Sequence, residues 1–250
     1  MRNLVLIALL AGFGLSARAG VECNAQPDAA RPQYIVGYGS LMQDDSRRRT
    51  APQAGPAQPV EVKGYRRGWF ARSQAPGLGT TFLGVLAAAD GRLNAVIYLV
   101  EPGEVLATDR RERSYCRSAA LASDIRLLER QASFPRHAQA WIYVSRPETV
   151  AAPAADFPIV QSYVDLFVSG CLEQEQRFAL AGFARECLTS TSDWSAHWIN
   201  DRVYPRRPFV FQPKAFEIDD LLRTHLPGYF EQIRPELPYQ AGSGTRKGSS

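Results

Sequence analysis

Scarcity excludes several classes of function here. Lys63, Lys214 and Lys247 are the only lysines in 250 residues, and His137, His197 and His225 the only histidines. Three scattered histidines, and Cys23, Cys116, Cys171 and Cys187 without CxxC spacing, provide no metal-ligand pattern and no catalytic triad, so neither metal nor cofactor is expected. Ser40 lacks the Gly-x-Ser-x-Gly elbow of a covalent nucleophile, because position 42 is Met42. Apart from the N-terminus, no apolar run approaches the ~20 residues of a membrane-spanning helix. The formal charge of +4 is too small to argue for nucleic acid, and no internal repeat is visible.

Four cysteines are too few for a disulfide framework but fit an oxidising compartment. Three pairings are possible and the sequence does not choose among them. Cys171 and Cys187 lie sixteen residues apart in a helical region; one continuous helix would separate them by about 24 Å, so a bond between them requires a sharp break.

What is present begins with an export signal. Arg2, the apolar stretch from Leu4 to Leu15 and Ala17-Arg18-Ala19 before Gly20 read as a leader over residues 1–19. Arg18 in the cleavage region leaves an uncleaved anchor as the other reading. Losing Arg2 and Arg18 leaves an excess of two positive charges on an exported, periplasmic or secreted protein.

Residues 20–145 are dominated by short strand-like runs, at 34–36, 60–65, 80–87, 94–100 and 138–144, punctuated by Gly and Pro. Glu101-Pro102-Gly103-Glu104 opens a helix on which Val105, Thr108 or Asp109, and Glu112 share a face, and a second amphipathic helix is predicted over 119–130. The Pro- and Ala-rich stretch 146–158 leads into a helical extension reaching residue 240. Helices are expected there over 159–172, 173–188, 194–199 and 218–226, the last stopped by Pro227-Gly228. A polar tail, 241–250, closes the chain.

Two short segments concentrate the chemistry. Val36-Gly37-Tyr38-Gly39-Ser40-Leu41-Met42 places a Gly-flanked turn at a strand end, where peptide N–H groups can hold a carboxylate or an oxyanion. Asp109-Arg110-Arg111-Glu112, with Tyr115 and Arg117, supplies one inward carboxylate. Arg110, Arg111 and Arg113 are expected to face outward, off Glu112's face. Taken alone, the first segment is also a tight turn and Asp109-x-x-Glu112 also a capping-box pattern; their conjunction argues for a site. Trp194 and Trp198 read as a core pair, the histidines as structural, and residues 202–208 as a solvated, proline-stiffened loop.

With Gly64-Tyr65-Arg66-Arg67 and 94–98 in between, the order and spacing of these segments over residues 34–144 resembles the gamma-glutamylcyclotransferase-like family. That resemblance implies an α+β fold, a small mixed β-barrel with flanking helices. It also implies a cavity in which Glu112 is the catalytic carboxylate, Tyr38, Gly39, Ser40 and Leu41 cradle substrate, and Tyr115 lies at the edge. The helical part after Ile159 is not found in the family's compact members. The expected partner is a small γ-glutamyl compound, with no nucleic acid, no membrane span and an oligomeric state the sequence does not disclose. A non-catalytic binding module on the same fold, or an anion-binding surface around Arg206 and Arg207, are the readings from other classes.

Overall fold

Strict alternation along the longest strands explains how one sheet organises the chain. In the computed structural model, which describes residues 23–73, 79–129, 133–207 and 214–236, β1 (Gln33–Gly37) runs into a 3-10 turn, Ser40–Met42, and a one-turn helix α1 (Asp44–Arg48). The long antiparallel pair β2 (Gln58–Arg72) and β3 (Thr81–Val100) follows, then α2 (Pro102–Arg111), β4 (Tyr115–Ala120), β5 (Ile125–Leu127) and β6 (Gln139–Ser145). These strands pair in the order β4-β6-β1-β3-β2-β5, with β1 parallel to β6, and the sheet curls into a half-barrel.

On β3, Val96, Tyr98 and Val100 join one buried cluster while Leu93, Ala95 and Ile97 join another. Successive side chains of a strand point to opposite faces, so this near-continuous apolar run marks a sheet buried on both sides. Its two sequence runs are one strand: Lys63 faces Arg92 and Tyr65 faces Ala87, so residues 88–91 bulge out opposite Gly64. Gly64 has φ +85°, a conformation that glycine adopts without steric cost.

The second half supplies β7 (Ile159–Val160), α3 (Gln161–Phe178), α4 (Phe183–Thr189), β8 (Thr191–Ser192), β9 (Trp198–Asn200), α5 (Ala215–His225), α6 (Pro227–Phe230) and β10 (Arg234–Pro235). β8 adds to β2, while β7, β9 and β10 form a small separate sheet. Val164, Phe167 and Cys171 of α3 share one cluster with Trp69, Leu83 and Val96 of the large sheet, so helices and sheet have a continuous core.

Several expectations are corrected. The described residues 119–129 form no α-helix: β4 runs to Ala120, a 3-10 turn covers Ala122–Asp124, and Ile125 and Leu127 are buried with Arg126 exposed between them, a period of two, and pair with β2 as β5. Residues 194–199 are not helical either. Asp193 sits at φ +61°, and Trp198 enters β9 beside Ile159, although Trp194 and Trp198 do stack in the core, 5.1 Å apart. The helix expected over 218–226 does end before Pro227-Gly228, at His225, and Pro227 then opens the separate short helix α6, since proline is tolerated in a first helical turn. The leader at 1–19 and the tail at 241–250 lie outside the described residues. Among the described residues no helix is long and apolar enough to cross a membrane.

The break that a Cys171–Cys187 bond needs is present. Ala179 (φ +50°) ends α3, Gly182 (φ +84°) precedes α4, and the two cysteines are bonded across the helix pair with their Cα atoms 6.6 Å apart. Cys23 is bonded to Cys116. For the Cys171–Cys187 bond, with a sequence separation of 16, a chain-entropy estimate gives about 3 kcal/mol. Replacing Cys171 and Cys187 together by Ala is expected to lower unfolding free energy by about that amount in denaturant titration, with the slope of the transition showing whether the unfolded state expands.

Candidate functional site

β1 ends at Gly37, and the chain turns through Tyr38 and Gly39 into the 3-10 turn. Gly39 is required by close approach: a Cβ there would lie 2.9 Å from the Tyr163 phenol oxygen. Tyr38 is held at both ends, its hydroxyl donating to the Tyr143 carbonyl at 2.5 Å and its own carbonyl accepting from Arg67 at 3.1 Å. Leu41 is buried. The turn therefore offers its backbone and the Ser40 hydroxyl, because its large side chains are committed to the scaffold.

α2 brings the carboxylate. Its start is capped by Glu101 and Glu104 with Pro102 in the first turn, so the capping box lies at this end and not at Asp109. Asp109 instead accepts from Arg117 at 2.8 and 3.2 Å and from the Tyr143 hydroxyl at 2.8 Å, bracing the end of α2 against β4 and β6. Glu112 is the C-cap, with its N–H bonded to Thr108. The acidic motif thus divides into a brace and a free carboxylate.

Glu112 faces two adjoining spaces. A recess of about 20 Å³ is bounded by the Tyr38–Leu41 turn, Leu83, Tyr115, Tyr143 and Tyr163. A cavity of about 660 Å³ opens beside it, sharing Ser40, Glu112, Tyr115 and Tyr163 with the recess. Sites of this size suit a small molecule, and the recess holds about one water-sized atom. All six residues singled out in the sequence, Tyr38, Gly39, Ser40, Leu41, Glu112 and Tyr115, meet at the recess. Tyr115 is fixed there by its hydroxyl bond to the Leu83 carbonyl, 2.9 Å.

The arginines do not all face outward. Arg111 turns into the cavity, where its Nε lies 3.1 Å from Glu112 Oε1 and its other nitrogens reach Ser40 Oγ (3.0 Å), Ser46 Oγ (2.9 Å) and the Ser46 carbonyl (2.6 Å). Helical spacing misled here because Glu112 is already past the last helical residue, so adjacent side chains can fold together. Arg207 also lines the cavity, over the Phe82 ring at 4.3 Å, and is no remote loop residue; Arg206 is tied to Glu236 and to the Gly79 carbonyl.

Burial raises the Glu112 pKa, with Arg111 and then Arg207 opposing. Loss of hydration outweighs the ion pair, partly because the Arg111 guanidinium is shared among several acceptors. The phenols around it are held protonated: burial pushes Tyr38 and Tyr115 far up and Tyr163 up to about 12. Glu112 thus meets neutral phenols on the recess side and Arg111 and Arg207 on the cavity side, from which its side chain, 16% exposed, is reachable.

Sequence reasoning missed Tyr163 and Arg111. Tyr163 lies beyond the family resemblance, and α3 is buried from Gln161 through Val168, so no amphipathic contrast marks one of its residues. Among the described residues no group of three His, Cys, Asp or Glu side chains could hold a metal ion.

No protein-family model matches the chain, and no curated protein matches it. Solved gamma-glutamyl cyclotransferases are among its structural neighbours. One structure described as a gamma-glutamyl cyclotransferase is 9% identical, with a TM-score of 0.49, covering 78% of this chain and 99% of that one. A yeast gamma-glutamyl cyclotransferase specific to glutathione is 12% identical, TM-score 0.41, covering 64% and 95%. An AIG2-like protein from Mus musculus is 19% identical, TM-score 0.33, covering 48% and 82%. The chemistry has to be read from the cavity's own residues.

One consequence is independent of any substrate. Glu112's raised pKa means that the folded state holds its proton more tightly than the unfolded chain, whose value is ~4.3. The stability this confers is present below the unfolded value and lost as pH rises through the folded one, so the ionised group costs stability at neutral pH. The melting temperature of Glu112→Gln relative to wild type is therefore expected to become more favourable between pH 4 and pH 7. A difference that does not move with pH would contradict the raised pKa.

Proposed function

We propose that this protein is a cyclotransferase that releases 5-oxoproline and a free amine from a γ-glutamyl compound, with Glu112 as general base and then general acid. The observation that carries the reading is a single partly buried carboxylate, with raised proton affinity, facing a Gly-flanked turn across a one-atom recess. In a γ-glutamyl amide the substrate's α-amine attacks its own γ-carbonyl and closes a five-membered ring. Holding the chain bent supplies a proximity contribution that can reach ~7–11 kcal/mol, and neither an enzyme nucleophile nor water takes part.

The remaining demands are a proton acceptor, a proton donor and stabilisation of the oxyanion. Glu112 takes a proton from the α-ammonium; the amine nitrogen bonds to the γ-carbon; the bond from that carbon to the leaving nitrogen breaks as Glu112 returns the proton to it; and the second proton, shed by the ring nitrogen as it becomes the lactam amide, passes to the departing amine, which leaves as an ammonium. A base whose pKa lies nearer neutrality than a free glutamate's does both steps more effectively. Recess and turn fit the tetrahedral oxygen, with backbone N–H groups of the Gly39–Leu41 turn as donors. Ser40 and Arg111 hold the rim, and Tyr38 and Tyr115 supply the neutral walls that keep Glu112 basic. Export, read from the leader, is part of the proposal, and two disulfides are what an oxidising compartment favours.

The decisive assay is 5-oxoproline release from γ-glutamyl dipeptides and amides by the purified protein. Glu112→Gln is expected to lower kcat by about 10³-fold, within the range of general acid–base catalysis, while calorimetric substrate affinity changes little. An active Glu112→Gln protein removes Glu112 from the chemistry. Substrate binding without turnover in wild type would leave the fold as a binding module.

Arg111 gives a second test. Its guanidinium favours the ionised carboxylate, so Arg111→Ala is expected to raise the Glu112 pKa further. Because the base must be deprotonated, activity falls as pH drops through that value, and the acid limb of kcat/KM should move to higher pH in the variant. A limb that stays in place or moves down would show that Glu112 does not set it.

A further inference from the structure

The large cavity is lined by six arginines and, among the described residues, by one acidic side chain, Glu112. Arg111 is occupied by Glu112, Ser40 and Ser46. Arg72, Arg110, Arg113 and Arg207 form no ion pair with any described residue, and they converge from three places in the chain: the end of β2, the end of α2 and the stretch after β9. Arg72 is steadied by donation to the Ala152 carbonyl (3.0 Å) and by the Phe157 ring, and Arg207 by the Phe82 ring. Arg72 and Arg207 are thus positioned by neutral partners, while Arg110 and Arg113 are exposed at the cavity mouth, so none of the four charges is compensated by a carboxylate ion pair among the described residues. A cleft lined by one sign of charge concentrates the opposite sign within it.

A γ-glutamyl head brings a single carboxylate, and Arg111 beside Ser40 is placed for it. Four more cations lie where the other end of the substrate must go. We infer that the cavity selects γ-glutamyl peptides whose leaving residue is itself acidic, carrying two carboxylates, over γ-glutamyl amines. This inference rests on the cyclotransferase reading of the same site. An uncharged leaving amine would leave the arginines without a counter-charge, which is discrimination by what is left unpaired as well as by what is paired. The reaction needs no co-reactant: one C–N bond forms, one breaks, and the leaving acidic amino acid departs with the two protons that the attacking ammonium gives up.

The test compares γ-glutamyl-glutamate with γ-glutamyl-n-butylamide in wild type, in Arg110→Ala/Arg113→Ala/Arg207→Ala, and in the matching triple lysine variant. In wild type the acidic peptide is expected to have at least tenfold higher kcat/KM, chiefly through KM, and the advantage should shrink in 0.5 M salt, where exposed charges are screened. The alanine variant should lose at least fivefold of that ratio and the lysine variant should recover part of it. Equal kcat/KM values in wild type, or a ratio unaffected by the alanine variant, overturn the inference and leave cyclisation standing. If neither compound is cyclised, the cyclotransferase reading fails, and calorimetry decides the rest. Tighter binding of γ-glutamyl-glutamate that disappears in the alanine variant supports the cationic wall, and equal binding overturns it.

Discussion

A buried guanidinium without a carboxylate partner holds the sheet half and the helical half of this molecule in one arrangement. Arg67 is fully buried, and its nitrogens donate to the Tyr38 carbonyl, the Asn94 carbonyl and Oδ1, the Cys187 carbonyl, Ser190 Oγ and Thr191 Oγ1, all at 2.8 to 3.1 Å. Burial lowers its pKa to about 9, and a charge taken out of water is tolerated only when its donors are satisfied. The acceptors come from the turn after β1, from β3, from α4 and from the segment leading into β8. Displacing any of them would strand a donor, so the turn beside Glu112 is positioned by elements far from it in sequence.

The same logic runs in reverse at Glu112. Arg67 keeps its charge through many neutral acceptors, whereas Glu112 is in direct contact with one cation, Arg111, with Arg207 further off and phenols on the recess side, so loss of hydration prevails and its proton affinity rises. Arg111 moderates that rise and ties the carboxylate to Ser40. A full, exclusive ion pair would hold the carboxylate low and waste it as a base; an isolated carboxylate in that recess would resist ionisation. A shared guanidinium gives an intermediate balance, which suits the proton-transfer role proposed for Glu112.

Much of this was legible in the sequence, and the failures have identifiable causes. The turn at 37–42 and Glu112 could be read because glycine placement and a lone inward carboxylate are local signals. Strands β1, β2, β3 and β6 were visible as apolar runs, though the unity of β3 was hidden by Asp90-Gly91, which reads as a turn when the bulge opposite Gly64 is not known. Residues 119–130 and 194–199 were misread because short apolar runs fit periods of two and of 3.6 almost equally, and pairing with β2 and β7 decided between them. Arg66-Arg67 and Asn94 stood out as motif residues without a role. Arg67 and Asn94 turn out to build the scaffold under the turn, which only long-range hydrogen bonds reveal.

The helical extension is bound into the site at its floor and at its wall. Cys187 accepts from Arg67 through its carbonyl, receives an Asn94 Nδ2 contact on its sulfur at 3.4 Å, and is covalently linked to Cys171 of α3. Two turns earlier on the same helix, Tyr163 presses on Gly39 and closes the recess, while Arg207 reaches the cavity from further along the chain. The disulfide therefore fixes α4 against α3 at the point where α4 also receives the buried guanidinium. A compact barrel ending near residue 145 would leave Arg67 with fewer acceptors and the recess open on the Tyr163 side. The extension supplies part of the polar core that lets the turn exist in this conformation, and part of the wall that keeps water away from Glu112.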